Sequence, residues 1–129
     1  MSTIQVLKSK IHGATVTEAN LDYQGSIGID ADLIEAARLC EYERVLIADL
    51  TGGGRLETYV ISAERGSGTI AMNGAAAHIV GENHKIIIFS WVTLSLEELS
   101  AHQPKILFMD QANQIAGVKT GEINGPVDC

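Results

Sequence analysis

The sequence predicts a mainly β fold, a small barrel with a few short helical turns. Three observations carry that prediction. Residues 85–94 form the strongest strand pattern in the chain, with Ile86, Ile87 and Ile88 in succession. Val45-Leu46-Ile47-Ala48 is a second buried apolar run. Thr51-Gly52-Gly53-Gly54 then turns the chain back into a strand over 55–62, as a hairpin would. The other apolar segments are short and punctuated by glycine, and a closed barrel is the arrangement that leaves such strands few open edges. There is no repeat, low-complexity stretch or linker.

Taken in order, residues 3–13 place β-branched aliphatic side chains at several alternating positions (Ile4, Val6, Ile11), a strand pattern. Thr17-Glu18-Ala19-Asn20-Leu21 reads as one helical turn with Thr17 as N-cap. Tyr23-Gln24-Gly25-Ser26 leads into a short strand at 27–29. Asp30 is placed to cap a helix over 31–39 whose apolar face is Leu33, Ala36 and Ala37. Strands follow at 43–50 and 55–62, and Gly66 and Gly68 mark a turn before a strand at 69–72. Asn73-Gly74 ends that strand and opens a turn of small residues, Ala75-Ala76-Ala77. After 85–94, Ser95 caps a short helix through Leu99, with Glu97 and Glu98 where the helix dipole favours carboxylates. Residues 104–109 are the last strand. From Asp110 on, polar residues and three glycines predict an irregular tail over 110–129.

With 129 residues, the chain is expected to be a single unit, 1–129, large enough to bury a core. A formal net charge of −7 argues against nucleic acid or an anionic membrane surface as a partner. It would also repel a free anionic substrate, so an acidic ligand needs local cations from the nine Lys and Arg. No segment is apolar enough to span a bilayer, and residues 1–10 lack the apolar run of a secretory signal. Two cysteines, Cys40 and Cys129, make no disulfide framework and fit a cytoplasmic protein. Cys40 reads as a small buried hydrophobe. No Cys/His spacing suggests a metal.

Five short motifs carry the chemistry: Lys10-Ile11-His12, Tyr23-Gln24-Gly25-Ser26, Arg55-Leu56-Glu57-Thr58-Tyr59, Ala63-Glu64-Arg65-Gly66-Ser67 and Asn73-Gly74-Ala75-Ala76-Ala77-His78. Each alone is weak; an isolated Gly-Ser is almost always a turn. In this order and spacing, over 6–109, they resemble the bacterial aspartate 1-decarboxylase family. The resemblance implies a double-psi β-barrel, a homotetramer with active sites between subunits, and decarboxylation of L-aspartate to β-alanine for pantothenate and coenzyme A synthesis. It further implies an inactive proenzyme that cuts itself before Ser26 into residues 1–25 and 26–129, turning Ser26 into a covalent pyruvoyl group. An accessory maturation factor is a candidate partner for that cleavage.

The same resemblance assigns roles. Ser26 supplies the pyruvoyl after cleavage from Gly25, and Tyr59 is the proton donor. Thr58 supports cleavage, and Lys10 lies near the pyruvoyl and substrate. Tyr23 and Asn73 bond to the processing site or pyruvoyl, and His12 tunes or orients. Arg55 grips the substrate carboxylate, with Gly74, Ala75 and Ala76 offering backbone contacts. No metal is implied. Elementary chemistry agrees with the cofactor. Loss of carbon dioxide from an amino acid leaves a carbanion that needs an electron sink, and no side chain contains a ketone. The chain has no phosphate cradle for an external cofactor, since Gly52-Gly53-Gly54 lacks the P-loop pattern. Arg55 can hold a carboxylate through two parallel hydrogen bonds. Tyr59 and Thr58, being adjacent, point to opposite faces of a strand. Residues 79–84, Trp91 and the tail depart from the family pattern. Two other readings are an uncleaved binding or scaffolding barrel, against which the retained Ser26, Arg55, Thr58 and Tyr59 count, and a DNA-binding barrel, which the acidic balance disfavours.

Overall fold

The computed structural model describes residues 2–122, 124 and 125. In chain order its elements are β1 (Thr3–Thr15), β2 (Glu18–Asn20), β3 (Ser26–Asp30), α1 (Ala31–Ala36), β4 (Arg44–Asp49) and β5 (Arg55–Ala63). Then come β6 (Ile70–Asn73), a 3-10 turn (Gly74–His78), β7 (Lys85–Ser95), α2 (Leu96–Leu99), β8 (Lys105–Met109) and β9 (Ile115–Thr120). The strands lie in the order β2-β6-β3-β5-β4-β7-β1-β8-β9.

That order is closed by the chain itself. β1 lies near one end and runs through Val16 and Thr17 directly into β2 at the other. The Val16 N–H donates to the His84 carbonyl at 2.9 Å and the Thr17 N–H to the Ile70 carbonyl at 2.8 Å. Few edges are left open, and the mainly β domain is consistent with a small β-barrel. β-Branched side chains fill it: Ile11, Val16, Ile27, Ile29, Ile47, Val60, Ile70, Ile86 and Ile88 are all essentially buried.

Four expectations need correction. Thr17–Leu21 does not form a helical turn. Thr17 Oγ1 donates to the Ile70 carbonyl and accepts from the Ile70 N–H, so it cannot cap a helix, and residues 18–20 pair in parallel with β6. A single turn has one hydrogen bond to offset its ordering, whereas the edge of β6 offers a ladder. The helix after Asp30 ends at Ala36, short of 39, because Arg38 takes a left-handed φ of 59°. The tail is not irregular throughout: Ile115–Thr120 pairs antiparallel with β8 and covers what would be an open edge. Cys40 is exposed rather than buried, its N–H donating to the Glu43 carboxylate; Cys129 lies outside the described residues. Trp91 sits outside the core, 40% exposed and stacked on Phe89.

Candidate active site

The site begins with β3, whose five residues are all buried between β5 and β6. Ser26 opens this strand and stands in register opposite Asn73 at the end of β6. Ser26 is 4% exposed, and its Oγ accepts a hydrogen bond from Asn73 Nδ2 at 3.0 Å. At the strand's other end, Asp30 caps α1 and also accepts from the Gly66 and Gly68 N–H groups, each at 2.9 Å. Burial pushes the Asp30 carboxyl up. The backbone donors of Gly68, Asp32 and Gly66 outweigh burial and hold it below the usual carboxylate range. β3 is therefore tethered at both ends.

Asn73 is followed by Gly74, which has a φ of +68°. A Cβ there would lie 2.7 Å from Gly25 Cα, 2.8 Å from Gly25 N and 2.9 Å from the Tyr23 carbonyl oxygen. Glycine is thus required twice, for its backbone angle and for the close approach of the chain just before Ser26. β3 and β5 run parallel with Ile27 beside Val60, and extending this register by two residues places Gly25 beside Thr58. A cleft of about 270 Å³ is lined by Gly25, Thr58, Asn73, Ala75, Ala76 and Ile79, among others. The Gly25–Ser26 bond, Thr58 and the small residues of the 3-10 turn are therefore brought together.

The remaining predicted residues lie elsewhere on the chain. Arg55, Glu57 and Tyr59 alternate on the exposed face of β5. Tyr59 is 37% exposed, its ring tilted against Tyr42 with centroids 6.5 Å apart, while Thr58 faces the cleft. Arg55 follows a turn anchored by Asp49, whose N–H donates to the Gly54 carbonyl and whose carboxylate accepts from the Thr51 N–H and meets His84 Nδ1 at 2.7 Å. The Tyr23 side chain is exposed.

Lys10 and His12 stand on β1, which the strand order separates from β3 by three intervening strands. Lys10 Nζ donates to Glu122 Oε2 at 2.6 Å and lies 5.6 Å from the centre of the Phe89 ring. The His12 ring packs against Phe108. Burial lowers its basicity, as do the Lys10 and Lys85 cations, with Glu122 opposing them. One chain thus brings Gly25, Ser26, Thr58 and Asn73 together, whereas Lys10, His12, Arg55 and Tyr59 are not among the residues that line this cleft.

Sequence reasoning missed Glu18 and Asn20. Asn20 Nδ2 donates to Asn73 Oδ1 at 3.2 Å and to Glu18 Oε2 at 3.1 Å. No local signal would have found them, since three residues are too few to show a strand period and their pairing with β6 is made 53 residues away. The described residues contain no cluster of His, Cys, Asp or Glu able to hold a metal ion, and no helix long and apolar enough to cross a membrane.

Chemically, this arrangement presents a buried hydroxyl one residue beyond a glycine carbonyl, with a polar side chain at the oxygen and small residues around a cleft. The family model for aspartate decarboxylase matches residues 2–116. A protein of Caldicellulosiruptor saccharolyticus named aspartate 1-decarboxylase is 52% identical over 126 residues, covering 98% of each chain. One of Acetivibrio thermocellus with the same name is 52% identical over 124 residues, 96% of this chain and 98% of the relative. A Clostridium botulinum protein, also so named, is 50% identical over 125 residues, 97% and 98% respectively. The chain belongs to the aspartate decarboxylase family.

Proposed function

We propose that the chain is a self-processing decarboxylase that converts L-aspartate to β-alanine and carbon dioxide in the cytoplasm, feeding pantothenate and coenzyme A synthesis. The whole of 1–129 would act as one unit, cut between Gly25 and Ser26. The observation that carries this reading is the buried Ser26 Oγ, held by Asn73 at 3.0 Å beside a Gly25 pressed onto the bare Cα of Gly74. Asn73, Thr58 and the small residues of the adjoining cleft are the residues that would hold a pyruvoyl group derived from Ser26. That group supplies the electron sink that decarboxylation requires.

The rest is done by the chain's own side chains. Thr58, which lines the same cleft as Gly25, would donate to the Gly25 carbonyl oxygen during cleavage and so stabilise developing negative charge. Asn73 holds the Ser26 oxygen through its hydrogen bond, and Ala75 and Ala76 would leave room in the cleft for a substrate carboxylate. Arg55 would bind that carboxylate as a fork, Lys10 would offset the substrate's charge, and Tyr59 would return a proton to carbon. Tyr23 and His12 would orient these groups. Because Lys10, His12, Arg55 and Tyr59 do not line the cleft of their own chain, a homotetramer with sites between subunits would reunite the two groups.

An intact-mass time course of purified protein tests the reading. Two species split at Gly25/Ser26, with the larger blocked at its N-terminus by a ketone, are expected, and Ser26→Ala should give neither cleavage nor activity. An active Ser26→Ala protein would sink the mechanism. If cleavage appears only on coexpression, a maturation factor is required.

A further inference from the structure

Asn73 has two ends, and only one is useful to Ser26. If its amide faced the other way, an oxygen would meet Ser26 Oγ and no N–H would be given to it. The strand order β2-β6-β3 puts Asn73 between Asn20 and Ser26, each its register partner on one side. Glu18 lies two residues before Asn20, on the same face of β2. An ionised carboxylate only accepts hydrogen bonds. Glu18 therefore turns the Asn20 NH2 toward itself, and the same NH2 reaches Asn73 Oδ1 at 3.2 Å. With its oxygen taken, Asn73 presents Nδ2 to Ser26 Oγ. One acceptor-only group at the barrel edge sets two amides and hence one donor at the nucleophile.

We infer that Asn20, oriented by Glu18, is a positioning residue for self-cleavage: through Asn73 it holds a donor on the Ser26 oxygen that must depart. This rests on the proposed function. In cleavage, a bond forms between Ser26 Oγ and the Gly25 carbonyl carbon, and the Gly25–Ser26 C–N bond breaks, leaving an ester and a free amine. Loss of the Ser26 Cα proton then breaks the Cβ–Oγ bond. Oγ takes the electron pair and leaves as part of the Gly25 carboxylate. The dehydroalanine that remains is hydrolysed by water to the ketone with release of ammonia. The oxygen that accepts from Asn73 is thus the leaving oxygen of the elimination. A donor there stabilises the developing carboxylate more than the starting hydroxyl.

The test follows freshly purified full-length chains by intact mass, with and without hydroxylamine. The ester has the mass of the uncut chain but is cut by hydroxylamine at Gly25. For Asn20→Ala, the two cleaved chains should appear about tenfold more slowly, the worth of one charge-assisted hydrogen bond. A larger share of its uncut mass should be hydroxylamine-labile than in wild type. Glu18→Gln, whose amide can present either end to Asn20, should shift both readouts in the same direction and guards against a folding defect in the first variant. Cleavage of both variants at the wild-type rate would overturn the inference, as would slow cleavage with no added labile ester. A wild-type chain that never cleaves, even with a maturation factor, would remove the proposed function itself, whereas one that cleaves beside unaffected variants removes only this inference.

Discussion

An alanine at position 74 would put a methyl group where the chain ahead of the scissile bond already sits. Its Cβ would lie 2.7 Å from Gly25 Cα, about 0.8 Å inside the ~3.5 Å at which non-bonded carbon atoms rest. The neighbouring contacts to Gly25 N and the Tyr23 oxygen are backbone too, so no flexible side chain can swing aside. The φ of +68° adds a left-handed penalty of about 1 kcal/mol for a residue with a Cβ. Together with the contact, a loss of about 2 kcal/mol is expected, or a fall of roughly 8 °C in Tm for a chain of this size. The effect on chemistry should be larger. Displacing the Gly25 carbonyl by most of an ångström relative to Ser26 Oγ should slow cleavage roughly 100-fold. Tm would be measured in a Ser26→Ala background so that both proteins are uncut, and cleavage by mass in the unmodified background. Gly74→Ala cleaving at the wild-type rate would refute the argument that this approach shapes the scissile bond.

Other outcomes follow from the same geometry. Arg55→Ala should cleave normally but raise KM for aspartate by about 10- to 100-fold through loss of a charge-assisted pair; unchanged steady-state kinetics would take Arg55 out of the site. Asp30→Asn leaves the Asp32, Gly66 and Gly68 N–H groups competing for a single carbonyl oxygen. It should cost about 2 kcal/mol at neutral pH. Because the folded carboxyl is held below its ordinary value of 3.8, its stabilisation is present above that pH and lost as pH falls through the lower folded value. The gap between wild type and variant in denaturant melts should therefore close in strong acid, and a gap that persists unchanged would show that the charge is not what matters.

Much of this protein was legible from residue order alone. The β-branched runs at 45–48 and 86–88 reported strands because such side chains favour an extended, packed surface. Asp30 and Ser95 announced their helices because a cap acts on N–H groups two or three residues away. The motifs around Gly25-Ser26, Arg55 and Asn73 indicated the family because several of them stand together in its order and spacing. What depends on partners distant in sequence was hidden. Glu18–Asn20 looked helical locally and became a strand only because β6 lay open beside it. Ile115–Thr120 was missed for another reason: its partner β8 is the adjacent strand, but its own mostly exposed residues lack the apolar alternation that marks a strand. Tertiary structure alone decided that Thr58 joins Gly25 while Tyr59 and Arg55 turn outward, and that Glu18 and Asn20 stand behind Asn73. The physical reason is that hydrogen-bond direction and side-chain facing are set by which strands become neighbours, and β2, β3, β5 and β6 find theirs dozens of residues away along the chain.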